Sequence, residues 1–210
     1  MKLLLIGATG LVGHEVLTQA LEHPRVESVI ALTRRPLAVT HRKLTAPVVR
    51  FDDLPEDADW WQADAAVCTL GTTIGKAGSR EAFREVDHVY PLAVARLARA
   101  HGMPRFAVVS AMGANPDSMF FYSRVKGELE ADLAALAFPS LTLVRPGLIG
   151  GKRAERRAGE QAAALALNLL GPILPKAWRT NPASRIAEVL LDATLDDWTG
   201  TRIIGAAQMA

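Results

Sequence analysis

The sequence predicts an α/β chain built on a doubly wound parallel sheet, and three observations carry that expectation. Leu3 to Ile6 is an uninterrupted apolar run, too short for a helix and suited to a strand buried on both faces. Gly7, Gly10 and Gly13 follow three apart, after which Val12, Val16, Leu17, Ala20 and Leu21 recur at helical spacing. From there on strand-like and helix-like segments alternate, the pattern of βαβ units with right-handed crossovers.

Strand, glycine turn and helix start are the parts a dinucleotide site needs. The first glycine permits the turn, the second lets backbone approach a pyrophosphate, and the third lets the helix pack closely on the strand. Free N–H groups at the helix start then face the phosphates. The expected contributors are Gly7, Thr9, Gly10, Leu11, Val12 and Gly13. The spacing G-x-x-G-x-x-G departs from G-x-G-x-x-G, and glycines that merely close a turn are the alternative.

Taken in order, Val29 to Leu32 reads as the second strand, with Thr33, Arg34 and Arg35 after it. An acidic residue there would bond a ribose diol, whereas a guanidinium donates two parallel bonds to a 2′-phosphate. These three residues therefore favour NADP over NAD; a solvated basic turn is the alternative. Val48 to Phe51 reads as a third strand, closed by Asp52 and Asp53 at the cofactor side, although Asp53 also suits the start of the Pro55 to Trp61 link. Ala65 to Leu70 reads as the fourth strand, and Leu70, Gly71 and Thr72 form a wall of the crevice, since ligands in such sheets sit beyond the carboxyl ends of strands.

Gly75 to Ser79 reads as a short polar loop, and Arg80 to about Ala100 as a long helix that Pro91 kinks or divides. Phe106 to Val109 is the fifth strand, Phe121 to Leu136 a helix and Leu141 to Val144 the sixth strand. Gly150 to Arg157 is basic, and an Ala/Leu-rich helix follows to about Leu170. A helix at Ala183 to Thr194 and a short strand at Arg202 to Ile204 complete the pattern. One domain spanning 1–210 is expected, with 150–210 as a small helical extension on the substrate side.

Composition narrows the function. The chain has 210 residues, half of them hydrophobic, and a formal net charge of +2, so no overall field marks a nucleic-acid binder. Cys68 is the single cysteine, set in an apolar run that points to a buried thiol, and its solitude suits a reducing compartment. No apolar run reaches membrane-spanning length. A cytoplasmic location, with no membrane partner, is the expectation. Five scattered histidines show no ligand spacing, so no metal site is expected. The basic residues Lys152, Arg153, Arg156 and Arg157 suit either an anionic substrate or a solvated face.

Tyr122 and Lys126 are four apart on a predicted helix, and so share a face. A phenol exchanges protons poorly at neutral pH, and a nearby ammonium favours its anion, so this pair suits proton transfer to a carbonyl oxygen. Lys126 is also expected on the cofactor ribose. Ser110, at the end of the fifth strand, is placed to donate a hydrogen bond to the same oxygen.

Ile6 to Gly13 (IGATGLVG), Ser110 to Gly113 (SAMG), Tyr122 to Glu128 (YSRVKGE) and Arg145 to Gly150 (RPGLIG) resemble the atypical short-chain dehydrogenase/reductase superfamily. Leu70 to Gly78 (LGTTIGKAG) and Arg153 to Glu160 resemble its branch typified by the Tat-interacting tumour-suppressor oxidoreductase and bacterial relatives. The resemblance implies a Rossmann fold, bound NADP(H), a tyrosine and lysine pair at Tyr122 and Lys126, and Pro146, Gly147 and Leu148 beside the nicotinamide. Ala111 stands where relatives often carry a second serine, leaving the serine role to Ser110.

The expected activity is an NADP(H)-dependent oxidoreductase acting on a small carbonyl or alcohol, in a monomer or homodimer. An NADP(H)-binding regulatory or assembly protein is one alternative. A nucleotide-sugar epimerase or dehydratase is another, cramped by the roughly sixty residues that follow Gly150.

Overall fold

In the computed structural model, which describes residues 1–150 and 180–210, alternation along the central strands sorts the core into two halves. The strands are β1 (Lys2–Ile6), β2 (Ser28–Leu32), β3 (Leu44–Thr45), β4 (Ala65–Cys68), β5 (Arg105–Val109), β6 (Ser140–Arg145), β7 (Ile149–Gly150), β8 (Asn181–Pro182) and β9 (Gly200–Gly205). The helices are α1 (Leu11–Glu22), α2 (Ile74–Ala77), α3 (Arg80–Arg84), α4 (Tyr90–Ala100), α5 (Phe121–Ala135) and α6 (Ala183–Leu195), with a π-helical turn at Glu85–Val89. Leu3 and Leu5 of β1, Ala65 and Val67 of β4, and Ala107 and Val109 of β5 face α1 and α6. Leu4, Ile6, Ala66, Cys68, Phe106 and Val108 face the other way, toward α4 and α5. Period-two side chains on strands covered by helices on both faces require this continuous apolar composition.

The main sheet has seven strands in the order β3-β2-β1-β4-β5-β6-β9, every pair parallel. This is the doubly wound order of a Rossmann fold. The chain leaves β1 toward β2 and β3, then returns past β1 to β4, so the loops leaving β1 and β4 diverge and open a crevice at their carboxyl ends. β9 pairs with β6 from Ser140–Gly200 to Arg145–Gly205, closing the far edge. A second, two-stranded sheet joins β7 to β8.

Several local expectations are corrected. Val48 to Phe51 is not the third strand; pairing with β2 occurs upstream at Leu44–Thr45, and beyond Pro47 there are only two isolated bridges, Thr33–Val48 and Arg50–Asp53. Proline removes a ladder donor at that edge, and Val48 stands exposed. Residues 75–79 are not a plain loop. The Thr73 hydroxyl accepts from the Lys76 N–H at 3.3 Å to start α2, and Gly78, at φ +83°, ends it.

The helix expected from Arg80 to Ala100 is interrupted by the π-helical turn, in which the Tyr90 N–H bonds the Glu85 carbonyl. Pro91 then falls in the first turn of α4, where its missing N–H costs nothing. The Ala/Leu-rich helix and the basic residues 152, 153, 156 and 157 lie outside the described residues.

The seam between α1 and the sheet is the tightest backbone contact near the crevice. A methyl group at Gly13 would lie 2.0 Å from the Gly7 carbonyl oxygen and 2.6 Å from Thr69 Oγ1. Gly13→Ala is expected to destabilise the fold by about 1–3 kcal/mol, as overpacking does. Urea unfolding checks it; an unchanged midpoint would mean α1 is free to shift outward.

Candidate active site

Gly7 has φ +92°, a conformation L side chains avoid, and a methyl there would sit 2.6 Å from Thr69 Oγ1. The Thr69 hydroxyl donates in turn to the Ile6 carbonyl at 2.9 Å. The Gly10 N–H donates to the Gly7 carbonyl at 2.9 Å, closing the turn ahead of α1. Gly10 is the N-cap residue and offers no side chain, and no acidic residue stands in the first turn. The first N–H groups of α1, from Leu11, Val12 and Gly13, therefore lack intrahelical partners and face an electropositive helix end. Thr9 is exposed beside them. A cradle in which added methyl groups would collide, with free donors at its rim, fits a pyrophosphate.

At the end of β2, Thr33 is buried and its hydroxyl points to the Pro47 carbonyl at 3.4 Å, an internal role. Arg34 and Arg35 are exposed, and among the described residues neither guanidinium is engaged in an ion pair. Asp52 is held by Arg50 at 2.7 Å, and Asp53 is exposed next to it. The Arg50 guanidinium keeps the Asp52 carboxyl below its ordinary range.

The wall formed by Leu70, Gly71 and Thr72 is tied to the interior by a residue the sequence reading missed. The Thr72 N–H donates to Asp87 Oδ2 at 2.7 Å, and Asp87 Oδ1 pairs with Lys126 Nζ at 2.8 Å. Asp87 is 1 % and Lys126 3 % exposed. A signal was present: residues 83, 87, 90 and 94 follow the helical apolar stripe, so a carboxylate at 87 faces the core.

Ser110, Ala111, Met112, Tyr122, Pro146, Gly147 and Ile149 line one cavity of about 140 Å³. Ser110 is buried and its hydroxyl has no partner, an exception to the rule that buried polar groups are bonded. Tyr122 is 39 % exposed at the mouth of this cavity and packs its ring on Phe83, with centroids 5.7 Å apart. Its phenol is pushed above the ordinary tyrosine value: burial raises it most, Lys126 lowers it, and Asp87 raises it. The expected acidification by Lys126 is thus overridden, chiefly because burial disfavours the phenolate, with Asp87 adding a smaller push in the same direction. A phenol shifted upward is protonated at neutral pH, the form a proton donor requires.

Glycine and asparagine position these side chains. Gly127 follows Lys126, and a methyl there would lie 2.2 Å from the Asn115 carbonyl carbon and Pro116 nitrogen, so α5 approaches the loop after Ser110 at backbone distance. Asn181, fully buried, accepts from the Gly147 N–H at 2.8 Å and donates to the Ala206 carbonyl at 2.9 Å. Its backbone N–H also bonds the Leu148 carbonyl at 2.8 Å. Gly127, as a helix-interior glycine, was readable; Asn181 carried no local signal. Arg145 is drawn away from the cavity by Glu130 of α5.

A family model described as NAD(P)H-binding matches residues 7–162. The mitochondrial protein fmp52 of Aspergillus fumigatus is 35% identical over 203 residues, covering 91% of this chain and 86% of its own. The protein HTATIP2 of Rattus norvegicus is 36% identical over 190 residues, covering 89% and 76%. A short chain dehydrogenase/reductase family oxidoreductase from Burkholderia thailandensis superposes with a TM-score of 0.68 at 18% identity, covering 99% of this chain and 92% of that one. MoeE5 in complex with UDP-glucuronic acid and NAD gives 0.76 at 16% identity, covering 98% and 76%. At such identities the two structures show the fold alone.

The cytoplasmic expectation is overturned by the fungal relatives, which are named mitochondrial. It rested on a single cysteine and the lack of a long apolar run. A lone cysteine separates reducing from oxidising compartments, not one reducing compartment from another. Among the described residues no helix is long and apolar enough to cross a membrane. The family match and the 35% and 36% relatives agree with the glycine cradle on one conclusion: the chain belongs to the NAD(P)H-binding family of the atypical short-chain dehydrogenase/reductase superfamily, in the branch that includes HTATIP2.

Proposed function

We propose that the protein is an NADP(H)-dependent oxidoreductase that reduces a small carbonyl compound or oxidises the corresponding alcohol. The observation that carries this reading is the cavity in which the unpartnered Ser110 hydroxyl and the Tyr122 phenol meet Pro146 and Gly147, beside a glycine cradle suited to a dinucleotide.

Each role follows from local chemistry. The rim of α1 holds the pyrophosphate, and Arg34 and Arg35 provide cations for a 2′-phosphate. Leu70 to Thr72 form one side of the crevice, with Lys126 beneath them, and Pro146 to Leu148 border the other. The bound nicotinamide supplies or accepts the hydride. Tyr122 donates the proton to the carbonyl oxygen, and Ser110 donates a hydrogen bond that steadies the negative charge developing there. Ala111, Met112, Pro146 and Ile149 supply apolar surface beside the reacting carbon.

A second reading, an NADP(H)-binding regulatory or assembly protein with little turnover, is favoured by the raised Tyr122 phenol, which burial and, to a smaller degree, Asp87 hold above its ordinary value. Tight NADPH binding with no NADPH consumption across a broad aldehyde and ketone panel would support it over the first.

Tyr122→Phe is expected to lower turnover by about 10²–10⁴-fold, the contribution of a positioned acid, while NADPH affinity measured by calorimetry stays unchanged. Undiminished turnover would remove Tyr122 from the chemistry. The unaltered protein should bind NADPH more tightly than NADH, and Arg34→Ala with Arg35→Ala should cut that preference by about tenfold or more, the scale of losing charge-assisted bonds. Fluorescence titration with both nucleotides provides the measurement. Equal affinities before substitution would show that the arginines do not read the phosphate.

A further inference from the structure

Asp87 and Lys126 form the most deeply buried ion pair among the described residues. Stability does not account for it, since an apolar pair of similar volume is commonly as stable or more so. Both carboxylate oxygens are engaged, and with different parts of the site. Oδ1 holds Lys126 on α5 at 2.8 Å, while Oδ2 accepts from the Thr72 backbone on the crevice wall at 2.7 Å. Gly71 lies directly over the pair: a methyl there would come 3.4 Å from Asp87 Oδ1 and 3.9 Å from Lys126 Nζ.

The π-helical turn re-aims the segment that carries Asp87, a device frequent at functional sites. An ion pair between Arg84 and Glu128 and a hydrogen bond between His88 and Asp132 at 2.8 Å tie the same segment to α5.

We propose that Asp87 is a positioning residue of the reacting pair: it fastens the Lys126 ammonium to the crevice wall and governs how much of that positive charge reaches the Tyr122 phenol. Lys126 on its own helix and Asp87 on the π-helical turn are the charged groups that act on Tyr122, in opposite senses. Cys68 of β4 is a further titratable group against the pair, and burial pushes its thiol up to about 11. Arg84 and His88 are occupied by Glu128 and Asp132, and Arg145 of β6 by Glu130.

The proposal rests on reading Tyr122 and Lys126 as the reacting pair, but its test needs neither nucleotide nor turnover. The chain has two tyrosines, so Tyr90→Phe leaves Tyr122 as the sole source of tyrosinate absorbance, to which a thiolate contributes nothing. In that background Asp87→Asn keeps an acceptor for the Thr72 N–H and removes the charge. The tyrosinate midpoint should then fall by about one pH unit, because the lysine is no longer offset. An unmoved midpoint in a folded variant overturns the proposal.

Because Asp87→Asn strands a buried ammonium, a second comparison sets Lys126→Gln against Lys126→Gln with Asp87→Asn, the latter free of buried charge. Adding Asp87→Asn should again lower the midpoint; equal midpoints overturn the proposal. Failure of all these variants to fold, read by near-ultraviolet circular dichroism, would make the pair purely structural and equally overturn it. A silent carbonyl panel combined with the expected midpoint shifts would sink the oxidoreductase reading and leave this one standing.

Discussion

The near-contact of three backbone segments, at Gly7, Gly13 and Thr69, is the constraint on which the rest depends. Because α1 meets β1 with no Cβ between them, its first turn lies across the carboxyl end of the strand and presents unpaired donors to the crevice. The same closeness lets the sheet be covered on that face by α1 and α6 in one apolar layer. A bulkier residue at 13 would lift the helix, thinning the layer and withdrawing the donors together. Packing and ligand geometry are one requirement here.

A second layer of organisation centres on α5. Glu128, Glu130 and Asp132 of this helix engage Arg84, Arg145 and His88, with Glu130 buried, while Lys126 turns inward to Asp87. Four carboxylate contacts thus fix one helix against the π-helical turn on one side and β6 on the other. Their effect is registration: Tyr122, one turn before Lys126, is set in the lining of the cavity that also holds the unpartnered Ser110 hydroxyl.

What was legible in the sequence was what depends on period and on glycine. The apolar runs of β1, β4 and β5 and the stripe of α1 report double-sided burial directly, and Gly7, Gly10 and Gly13 mark the turn because no other residue suits it. Boundaries set by distant partners were not legible. β3 lies at Leu44–Thr45 because Pro47 and an exposed edge decide where pairing stops, and Val48 to Phe51 reads the same whether paired or not. Within the candidate site, Tyr122 and Lys126 are visible as a four-residue spacing, whereas Asp87 is separated from Lys126 by a helix, a strand and two loops. The direction of the Tyr122 shift followed chiefly from burial and secondarily from that hidden carboxylate, neither of which spacing reveals.

Asn181 carries a temporal implication. It is the buried joint that links the Gly147 amide to the Ala206 carbonyl, and β6 gains its outer neighbour only through residues 200–205. During translation the phosphate cradle at 7–13 can take shape early, once β4 has emerged beside β1. The opposite bank of the crevice must wait for the residues out to Ala206, well over a hundred beyond β4, to leave the ribosome. A nascent chain therefore acquires its glycine cradle well before the cavity beside it is complete.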